Sequence, residues 1–429
     1  MSKPIDAVLV GAGQRGRDAI GIYAQREPGE LRFVAVAEPD EDRRKLFAKQ
    51  HGIPPEMQFR TWEEVMERPQ LAPLLFNLTQ DRMHRESAVA ALEKGYHLFL
   101  EKPMAHTPEG CLEIAAAARA HRRMVQICHP LRYTPFYRRV KELISTGKIG
   151  RLLSISMYEN VGYWHFAHSY VRGNWRRMDE SGPVILTKCC HDMDIATWMA
   201  DDHVREVSSF GRLAHFREEN APEGAPPRCT DGCPVEETCP YYAPAFYLGP
   251  GVGWPTSAVS VHHGLEERRR ALETGPYGRC VYRSDNDAVD HQVLNAEFEK
   301  GTTFNFAVRA HSADCYRTIR AIGEHGEIDG HFEKREVKLT RFGQGYSDKA
   351  TRELFKTEVW DGGHGGGDTG VVRNFLRAIQ EEDYEGLEHS LDLAVEGHLL
   401  SFAAEQARVK REVVQMEEFR SAISSAAAG

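Results

Sequence analysis

Hydrophobic and polar residues follow two different patterns along this chain, and the change falls between residues 130 and 150. Before it, amphipathic segments separate five short apolar runs, at residues 8–10, 33–37, 73–78, 97–100 and 124–127. The apolar runs predict buried strands, and the segments between them predict helices. Strands that alternate with helices favour a parallel, doubly wound sheet.

After residue 150 the pattern is typical of a large, mostly antiparallel sheet. Alternating or β-branched stretches predict strands within residues 151–158, 204–216, 291–309 and 317–331. Helical patterns cover residues 188–199, 370–379 and 391–410. An insert rich in Pro, Gly and Cys lies at about residues 218–282. The fold class is therefore α/β, and we predict a first domain over residues 1–130 and a second over 131–429.

A glycine-rich turn, GAGQRG at residues 11–16, follows the first apolar run directly. Gly11 permits a tight turn, Gly13 lets the backbone approach a pyrophosphate, and Gly16 lets helix and strand pack closely. The helix predicted at about 17–25 would direct its free N–H groups at the phosphates. This motif, in its strand–turn–helix setting, predicts a dinucleotide-binding Rossmann domain.

Glu38 closes the second apolar run, about twenty residues after the glycine turn. Its carboxylate can accept hydrogen bonds from the ribose hydroxyls and would repel a 2′-phosphate, so NAD is favoured over NADP. Arg43 and Arg44 follow closely and could instead fold back towards a phosphate, which leaves NADP as the alternative.

Composition narrows the class of partner. The chain has 429 residues, 41% of them hydrophobic, and a formal net charge of −9 without a basic block, so we expect no nucleic-acid partner. No apolar run approaches the roughly 20 residues of a membrane helix. The first predicted strand begins near Ile5 and leaves no room for a signal peptide. We therefore expect a cytoplasmic protein whose scattered cysteines stay reduced.

The tripeptide Glu101-Lys102-Pro103 follows the predicted strand at 97–100, at the sheet edge where open α/β folds bind ligands. Lys102 can reach a nicotinamide or a substrate hydroxyl, and a positive nicotinamide ring would favour its deprotonation. The alternative is a solvated lysine at the end of a strand.

Together these motifs resemble the glucose–fructose oxidoreductase / inositol dehydrogenase (Gfo/Idh/MocA) family. Further motifs lie in the expected order: AEPD at 37–40, TQDRMH at 79–84, AALEKGYHLFLEKP at 90–103, RYTP at 132–135, GKIG at 147–150, GNWR at 173–176 and CHDMD at 190–194. The resemblance implies a second α/β domain whose open sheet carries the substrate pocket and often forms subunit contacts. It also implies hydride transfer between NAD(P) and a sugar or cyclitol carbon, in a homodimer or homotetramer.

By the same resemblance, Lys102 matches a lysine that contacts cofactor and substrate, and His191 matches a general acid/base. The predicted cofactor contacts are Gly11, Gly13, Gln14, Arg15, Gly16, Glu38, Thr79, Gln80, His84, Glu101 and Lys102. The predicted substrate contacts are Arg132, Tyr133, Trp175, Arg176, Lys188, Asp194 and His364.

Thr187 departs from the family pattern, because many members have an Asp four residues before the histidine that matches His191. A threonine hydroxyl can hydrogen-bond but cannot serve as an ionised base. His191 then acts unaided, Lys188 takes part, or the chemistry is atypical.

Two segments favour a sugar site. Residues 163–177 mix aromatic rings with His and Arg, which stack on sugar faces and bind hydroxyls, although a packed structural segment would show the same composition. In GGHGGGD at 362–368, a flexible backbone can bring His364 and Asp368 over the pocket, ahead of a helix with Thr369 as predicted N-cap. The alternative for this segment is a plain loop.

Four cysteines, Cys229, Cys233, Cys239 and Cys280, fall within the insert among Pro- and Gly-rich turns. Four soft ligands suit a closed tetrahedral Zn²⁺ site that would order a segment without a core. Disulfides or unligated thiols are the alternatives.

The leading functional hypothesis is an NAD-dependent dehydrogenase of a sugar, sugar acid or cyclitol. One alternative is an NAD-dependent glycoside hydrolase that transiently oxidises C3 and breaks the glycosidic bond by elimination. A second is a nucleotide-binding regulatory or scaffold protein, against which the presence of both Lys102 and His191 argues.

Overall fold

A six-stranded parallel sheet organises the first part of the chain. The computed structural model describes residues 3–260, 262–345 and 349–427. The strands of this sheet are β1 (Ile5–Val10), β2 (Leu31–Ala37), β3 (Gln58–Phe59), β4 (Leu74–Asn77), β5 (His97–Leu100) and β6 (Val125–Ile127). Their order is β3-β2-β1-β4-β5-β6, and every pair is parallel. The predicted doubly wound sheet is confirmed, and the carboxyl ends of all its strands lie at one edge.

Helices connect these strands. They are Gly16–Gly21 (π-helical), Ile22–Arg26, Glu41–His51, Pro55–Met57 (3₁₀), Trp62–Met66, Asp81–Met83 (3₁₀), His84–Glu93, Pro108–Ala120 and Pro130–Tyr133 (3₁₀). The Thr107 hydroxyl accepts a hydrogen bond from the amide of Gly110, so it caps the helix that follows.

A nine-stranded sheet dominates the second part. Its strands are β7 (Leu152–Gly162), β8 (Val204–Arg212), β9 (His291–Phe298), β10 (Thr303–Ser312), β11 (Tyr316–Gly323), β12 (Gly326–His331), β13 (Glu336–Arg341), β14 (Thr351–Lys356) and β15 (Val414–Gln415). Their order is β14-β13-β12-β11-β7-β10-β9-β8-β15, and all pairs are antiparallel except β7 with β10. The prediction of a mostly antiparallel sheet is confirmed, although β13 and β14 lie outside the stretches predicted as strands.

The second part also contains helices, several of them within the insert. They are Pro135–Ser145, Tyr163–Phe166, Ala167–Arg172 (π-helical), Met178–Ser181, Val184–Thr187, Cys190–Ala200, Glu218–Asn220 (3₁₀), Ala243–Tyr247, Thr256–Ala258 (3₁₀), Leu265–Thr274, Pro276–Gly278 (3₁₀), His364–Gly366 (3₁₀), Gly367–Glu381, Tyr384–Lys410 and Met416–Ala427. None of the helices in the described ranges combines the length and apolar character that crossing a membrane requires.

The helix Gly367–Glu381 packs on the parallel sheet although it comes near the end of the chain. The ring of Phe375 lies 6.0 Å from that of Phe76 and 5.9 Å from that of Phe99, and all three are fully buried. This contact ties the distal glycine-rich segment to the carboxyl edge of the parallel sheet. The domain boundary near residue 130 stays a prediction.

The prediction that Thr369 caps this helix is wrong. The helix begins at Gly367, and Gly366 is its N-cap with a φ of 86°. The Thr369 hydroxyl donates to the carbonyl of Asp361 and caps no amide. Glycine accepts this left-handed conformation readily, so the helix starts earlier than the sequence pattern indicates.

Candidate active site

The glycine turn has the backbone geometry that a dinucleotide needs. Gly11 has a φ of 92°, and a Cβ there would lie 2.5 Å from the carbonyl oxygen of Leu78. A Cβ on Gly16 would lie 2.3 Å from the carbonyl oxygen of Gly11, so only glycine fits at either position. Gly13 instead faces open space, because no heavy atom lies within 4 Å of the point that a Cβ would occupy. The turn therefore leaves a free approach to the backbone at the start of the following helix, as a bound pyrophosphate requires.

Glu38 is held at the end of β2 by the glycine turn itself. Its Oε2 accepts a hydrogen bond of 2.8 Å from the amide of Ala12, and its Oε1 accepts one of 3.1 Å from the amide of Asp40. Arg44 donates to the Glu38 carbonyl at 2.5 Å. Each carboxylate oxygen retains a lone pair, so Glu38 suits a ribose diol.

Arg15 links three segments that are remote in sequence. Its guanidinium contacts Glu101 at 2.5 Å and forms a bidentate pair with Asp368, at 2.9 and 3.0 Å. Burial alone would raise the pKa of both carboxyls, yet the charge of Arg15 and its neighbours holds the pKa of Asp368 and Glu101 below the ordinary range. Arg15 therefore fastens the distal glycine-rich segment to the dinucleotide turn.

His84 joins the loops that follow β4 and β5. Its ring nitrogens lie 2.7 Å from the Pro103 carbonyl oxygen and 3.1 Å from that of Thr79. Thr79 in turn bonds the side chain of Asn77, whereas Gln80 is exposed and Gln14 half-buried. The structure thus gives His84 a role in holding the loops, and direct contacts of Thr79, Gln80, His84 and Gln14 with the cofactor stay predictions.

Lys102 and His191 meet at the carboxyl edge of the parallel sheet. The Lys102 ammonium donates a hydrogen bond of 2.9 Å to the carbonyl of Thr187, and its Nζ lies 5.6 Å from the ring centre of Trp175. His191 is the second residue of the helix Cys190–Ala200 and is 4% exposed. Burial, with the charge of Lys102 nearby, lowers the pKa of His191 well below its usual value. The imidazole is therefore neutral at pH 7 and available as a base.

Two further histidines surround His191. The ring of His129 lies 5.8 Å from it and the ring of His364 5.5 Å. His129 follows β6 at the same sheet edge, and this position was the signal that could have identified it from sequence. Within the described ranges, neither ring nitrogen of His129 nor Nδ1 of His191 has a hydrogen-bond partner. Buried polar atoms are usually hydrogen-bonded, so these ring nitrogens are available to a bound ligand.

His129, Cys190 and His191 lie close enough to share an ion, with candidate ligand atoms within 4.8 Å of one another. Nearby positive charges disfavour a cation here, because Lys102 acts on both imidazoles and Arg132 acts on His129.

Thr187 does not take the place of a carboxylate. Its side chain is fully buried, and its hydroxyl donates 3.2 Å to the carbonyl of Pro183 within its own helical turn. Its backbone carbonyl, rather than its side chain, accepts the hydrogen bond from Lys102. Two carboxylates adjoin the histidine group instead: Asp368 lies 3.1 Å from Nδ1 of His364, and Asp194 lies 3.6 Å from Nε2 of His129.

The glycine-rich segment brings His364 beside His191. His364 has a φ of 52°, and Gly362, Gly365 and Gly366 also have positive φ. A Cβ on Gly366 would lie 2.2 Å from that of Trp360. Strained backbone held by close packing is typical of functional segments. The position of His364 beside His191 favours the interpretation that residues 362–368 are part of the site rather than a plain loop.

The other predicted substrate contacts all have partners within the protein. Trp175 lies beside Lys102, and its indole N–H donates a hydrogen bond of 3.0 Å to Asp81. The other partners are Asp194 for Arg132, Gln126 for Tyr133, Asp285 for Arg176 and Glu159 for Lys188. Their substrate contacts stay predictions.

The parallel sheet has the strand order of a dinucleotide-binding fold. It carries a glycine turn, an acidic residue at the end of β2, and a lysine–histidine pair at its carboxyl edge. Together these features define a dinucleotide-dependent redox protein. Sequence profiles of one family match both parts of the chain: the oxidoreductase family with an NAD-binding Rossmann fold over residues 5–129, and its C-terminal alpha/beta domain over residues 141–390. The chain therefore belongs to the Gfo/Idh/MocA family. It is an oxidoreductase with NAD as its cofactor.

Curated relatives include an inositol 2-dehydrogenase of Ralstonia nicotianae, 29% identical over 198 residues, which are 46% of this chain and 55% of that protein. A 1,5-anhydro-D-fructose reductase of Ensifer adhaerens is 27% identical over 218 residues, 50% of this chain and 62% of that protein. Among solved structures, levoglucosan dehydrogenase in complex with NADH and L-sorbose has a TM-score of 0.70 at 18% identity, and the match covers 96% of this chain and 99% of that chain. This structural likeness shows the fold.

Glu38→Gln tests the cofactor preference. The change removes the negative charge but keeps an oxygen acceptor, so we expect the Kd for NAD⁺ to rise about tenfold as charge-assisted hydrogen bonds become neutral ones. Affinity for NADP⁺ should rise, because the repulsion of its 2′-phosphate is lost. Fluorescence titration with both dinucleotides measures the ratio. The matched control is Glu41→Gln, an exposed carboxylate paired with Lys45; equal ratios in both variants would contradict a role for Glu38.

Proposed function

We propose that the protein is an NAD-dependent dehydrogenase that oxidises a hydroxyl-bearing carbon of a sugar, sugar acid or cyclitol. The observation that carries the proposal is the buried His191 beside Lys102, at the sheet edge next to the glycine turn. A neutral imidazole with an unpartnered nitrogen suits removal of a hydroxyl proton. NAD, when bound, accepts the hydride that leaves the same carbon.

Lys102 would stabilise the oxygen of the reacting hydroxyl. Its ammonium is fixed by the Thr187 carbonyl on one side and lies near the face of Trp175 on the other. A cation held in position opposes the negative charge that develops on the oxygen as the proton leaves, without reorganisation during the reaction. His191 would then hold the proton, and Lys102 would orient the hydroxyl towards it.

His364 offers the proton a route to solvent. Its side chain is 35% exposed, whereas His191 is buried, and the two ring centres are 5.5 Å apart. Asp368 accepts a hydrogen bond from Nδ1 of His364 and orients the ring. We assign His364 the role of passing the proton outwards, and Asp368 the role of positioning it. This pair supplies the carboxylate that Thr187 lacks.

A sugar or cyclitol is supported by the aromatic surface of the site and by the relatives. Trp175 presents an indole beside Lys102, and flat aromatic faces pack well against the C–H faces of sugar rings. The relatives named above act on inositol and 1,5-anhydro-D-fructose, both of them polyhydroxylated rings. None of these names favours the glycoside-hydrolase alternative, which we do not propose.

The decisive experiment is a substrate panel. The purified protein is mixed with NAD⁺ and a series of sugars, sugar acids and cyclitols, and formation of NADH is followed by absorbance. We expect at least one compound to give NADH in proportion to enzyme, because the hydride leaves with the cofactor. Release of aglycone from aryl glycosides without net NADH would overturn the dehydrogenase proposal and favour the hydrolase. Silence in both assays while NAD binds would contradict any catalytic role.

Association into a homodimer or homotetramer is part of the proposal. The outer face of the second sheet is the candidate surface, because Phe210 and Val293 are direct cross-strand neighbours there and are 65% and 45% exposed. Burying these two side chains against a second subunit would remove apolar surface from water. A cytoplasmic location stays an expectation from the sequence.

A further inference from the structure

The insert between β8 and β9 has little hydrophobic core of its own. Its separate buried cluster consists of Cys229, Ala243, Tyr247 and Leu272. Between Asn220 and Tyr242 the chain forms turns and bends without a regular helix or strand. A buried cluster of four residues offsets little of the conformational entropy that the insert loses when it becomes ordered. The four cysteines of the insert are candidates for a further source of stability.

All four cysteines of the insert line one small cavity of about 10 Å³. Cys229 and Cys280 lie on two antiparallel segments that pair at Arg228 and Arg279. The Cys229 amide donates to the carbonyl of Gly278 and the Cys280 amide to that of Pro227, each at 2.8 Å. In this register the two cysteines lie diagonally on one face of the pair.

Cys233 and Cys239 reach the same cavity from successive turns. The amide of Glu236 donates to the Cys233 carbonyl at 3.3 Å, and the amide of Cys239 donates to the carbonyl of Val235 at 2.9 Å. Cys233 and Cys239 are half-buried, whereas Cys229 and Cys280 are buried. Four thiols from separate stretches of the insert thus border one cavity, and none of them is joined in a disulfide.

A buried arginine supplies an independent observation. Arg172 is 2% exposed and donates to the carbonyls of Arg279 and Tyr241, each at 2.7 Å, and to Sγ of Cys229 at 3.5 Å. Across the described ranges it forms no ion pair with a carboxylate within 4.0 Å. A buried guanidinium without a counter-charge is costly, and this one borders the cavity of the cysteines.

We propose that Cys229, Cys233, Cys239 and Cys280 bind one structural Zn²⁺ in a closed four-thiolate site. Such a centre carries a net charge of −2 and provides the counter-charge that Arg172 lacks. The ion cross-links two segments of the insert and stabilises them in place of a core. Among groups of three or more His, Cys, Asp or Glu residues in the described part of the chain, His129, Cys190 and His191 are the ones whose ligand atoms all lie within 4.8 Å of one another, so zinc binding must draw the four sulfurs closer together.

The test begins with the metal content of the purified, full-length protein. Elemental analysis by mass spectrometry should find one zinc per chain. Titration with a thiol-reactive mercurial should release this zinc as four thiols per chain are modified. The Cys239→Ser variant should contain much less than one zinc per chain. Cys315→Ser is the matched control, because Cys315 is half-buried but lies outside the cavity; its zinc content should stay unchanged.

A second measurement does not depend on the folding of any variant. Reduced wild-type protein freed of metal is titrated with Zn²⁺ alone and, separately, with Co²⁺ alone. Cobalt should show the thiolate charge-transfer and tetrahedral d–d bands of sulfur coordination, and one equivalent of zinc should abolish them. Chelation should also lower the Tm and expose residues 218–282 to proteolysis.

Three results would overturn the proposal: disulfides between these cysteines in the native protein, cobalt spectra without sulfur bands, or no zinc before and none bound after titration. Because the site lies apart from Lys102 and His191, NAD binding and turnover report on the proposed function separately. An inactive protein that still binds zinc contradicts only the dehydrogenase proposal, and an active zinc-free one contradicts only the metal site.

Discussion

Replacing His191 by alanine is expected to lower kcat roughly 100- to 10,000-fold, the range that a positioned general base contributes. The physical reason is its environment. Burial and the neighbouring charge of Lys102 lower the pKa of His191, so the free ring is unprotonated at neutral pH, which is the form that a general base needs. The glycine turn and Glu38, which are the predicted contacts of the pyrophosphate and the ribose, are untouched, so the Kd for NAD⁺ should change far less than kcat.

The measurement is steady-state kinetics on the substrate found in the panel, with NAD⁺ affinity from fluorescence. His389→Ala is the matched control, because His389 is an exposed histidine that pairs with Asp201 on the surface. It should retain its kcat. Full turnover by His191→Ala would remove His191 from the mechanism and direct attention to Lys188 or His364.

The second large effect concerns stability. Asp194→Ala should reduce the free energy of unfolding by about 3–5 kcal/mol, because it leaves the buried guanidinium of Arg132 without its partner. Arg132 and Asp194 are 6% and 1% exposed and form a two-point contact through Nε and Nη2. Arg132 has one more contact, 3.2 Å to the hydroxyl of Ser390, which cannot replace a carboxylate. Denaturant unfolding measures the change.

The double replacement Arg132→Met with Asp194→Leu separates a buried charge from lost packing. It should recover most of the stability, since a hydrophobic pair of similar volume costs no desolvation of charge. Asp392→Ala, an exposed carboxylate paired with Arg119, is the control and should change stability by less than about 1 kcal/mol. If Asp194→Ala unfolds like the wild type, Asp194 is not a structural anchor, and the predicted contact with substrate gains weight.

Much of the first domain could be predicted because its signals are local. Apolar runs separated by helices led to the parallel sheet, and GAGQRG followed by Glu38 led to the dinucleotide site. Each of these signals lies within a short stretch of the chain. The second sheet was predicted in character but less well in extent. β13 alternates polar residues with the buried Val337 and Leu339, a strand pattern that the sequence analysis missed, whereas β14 is exposed along most of its length and shows no such pattern.

The centre of the site was only partly predictable. His129 has no motif of its own, and the one signal for it in the sequence is its place just after the predicted strand at 124–127. The contact of Arg15 with Asp368 spans 353 positions, and nothing in either segment marks the other as its partner. Some of the predicted substrate contacts, among them Arg132 and Lys188, are held by carboxylates of the protein.

The sequence by itself determined the fold class, the glycine turn, the acidic end of β2 and the positions of Lys102 and His191, because strand periodicity and turn chemistry act over short distances. Only the tertiary structure decided which of the charged groups face one another. It placed the helix Gly367–Glu381 on the parallel sheet and thereby brought His364 and Asp368 to His191 and Arg15. Such pairings depend on how distant segments bury their apolar faces together, and the spacing of residues along a chain does not encode that packing in any readable pattern.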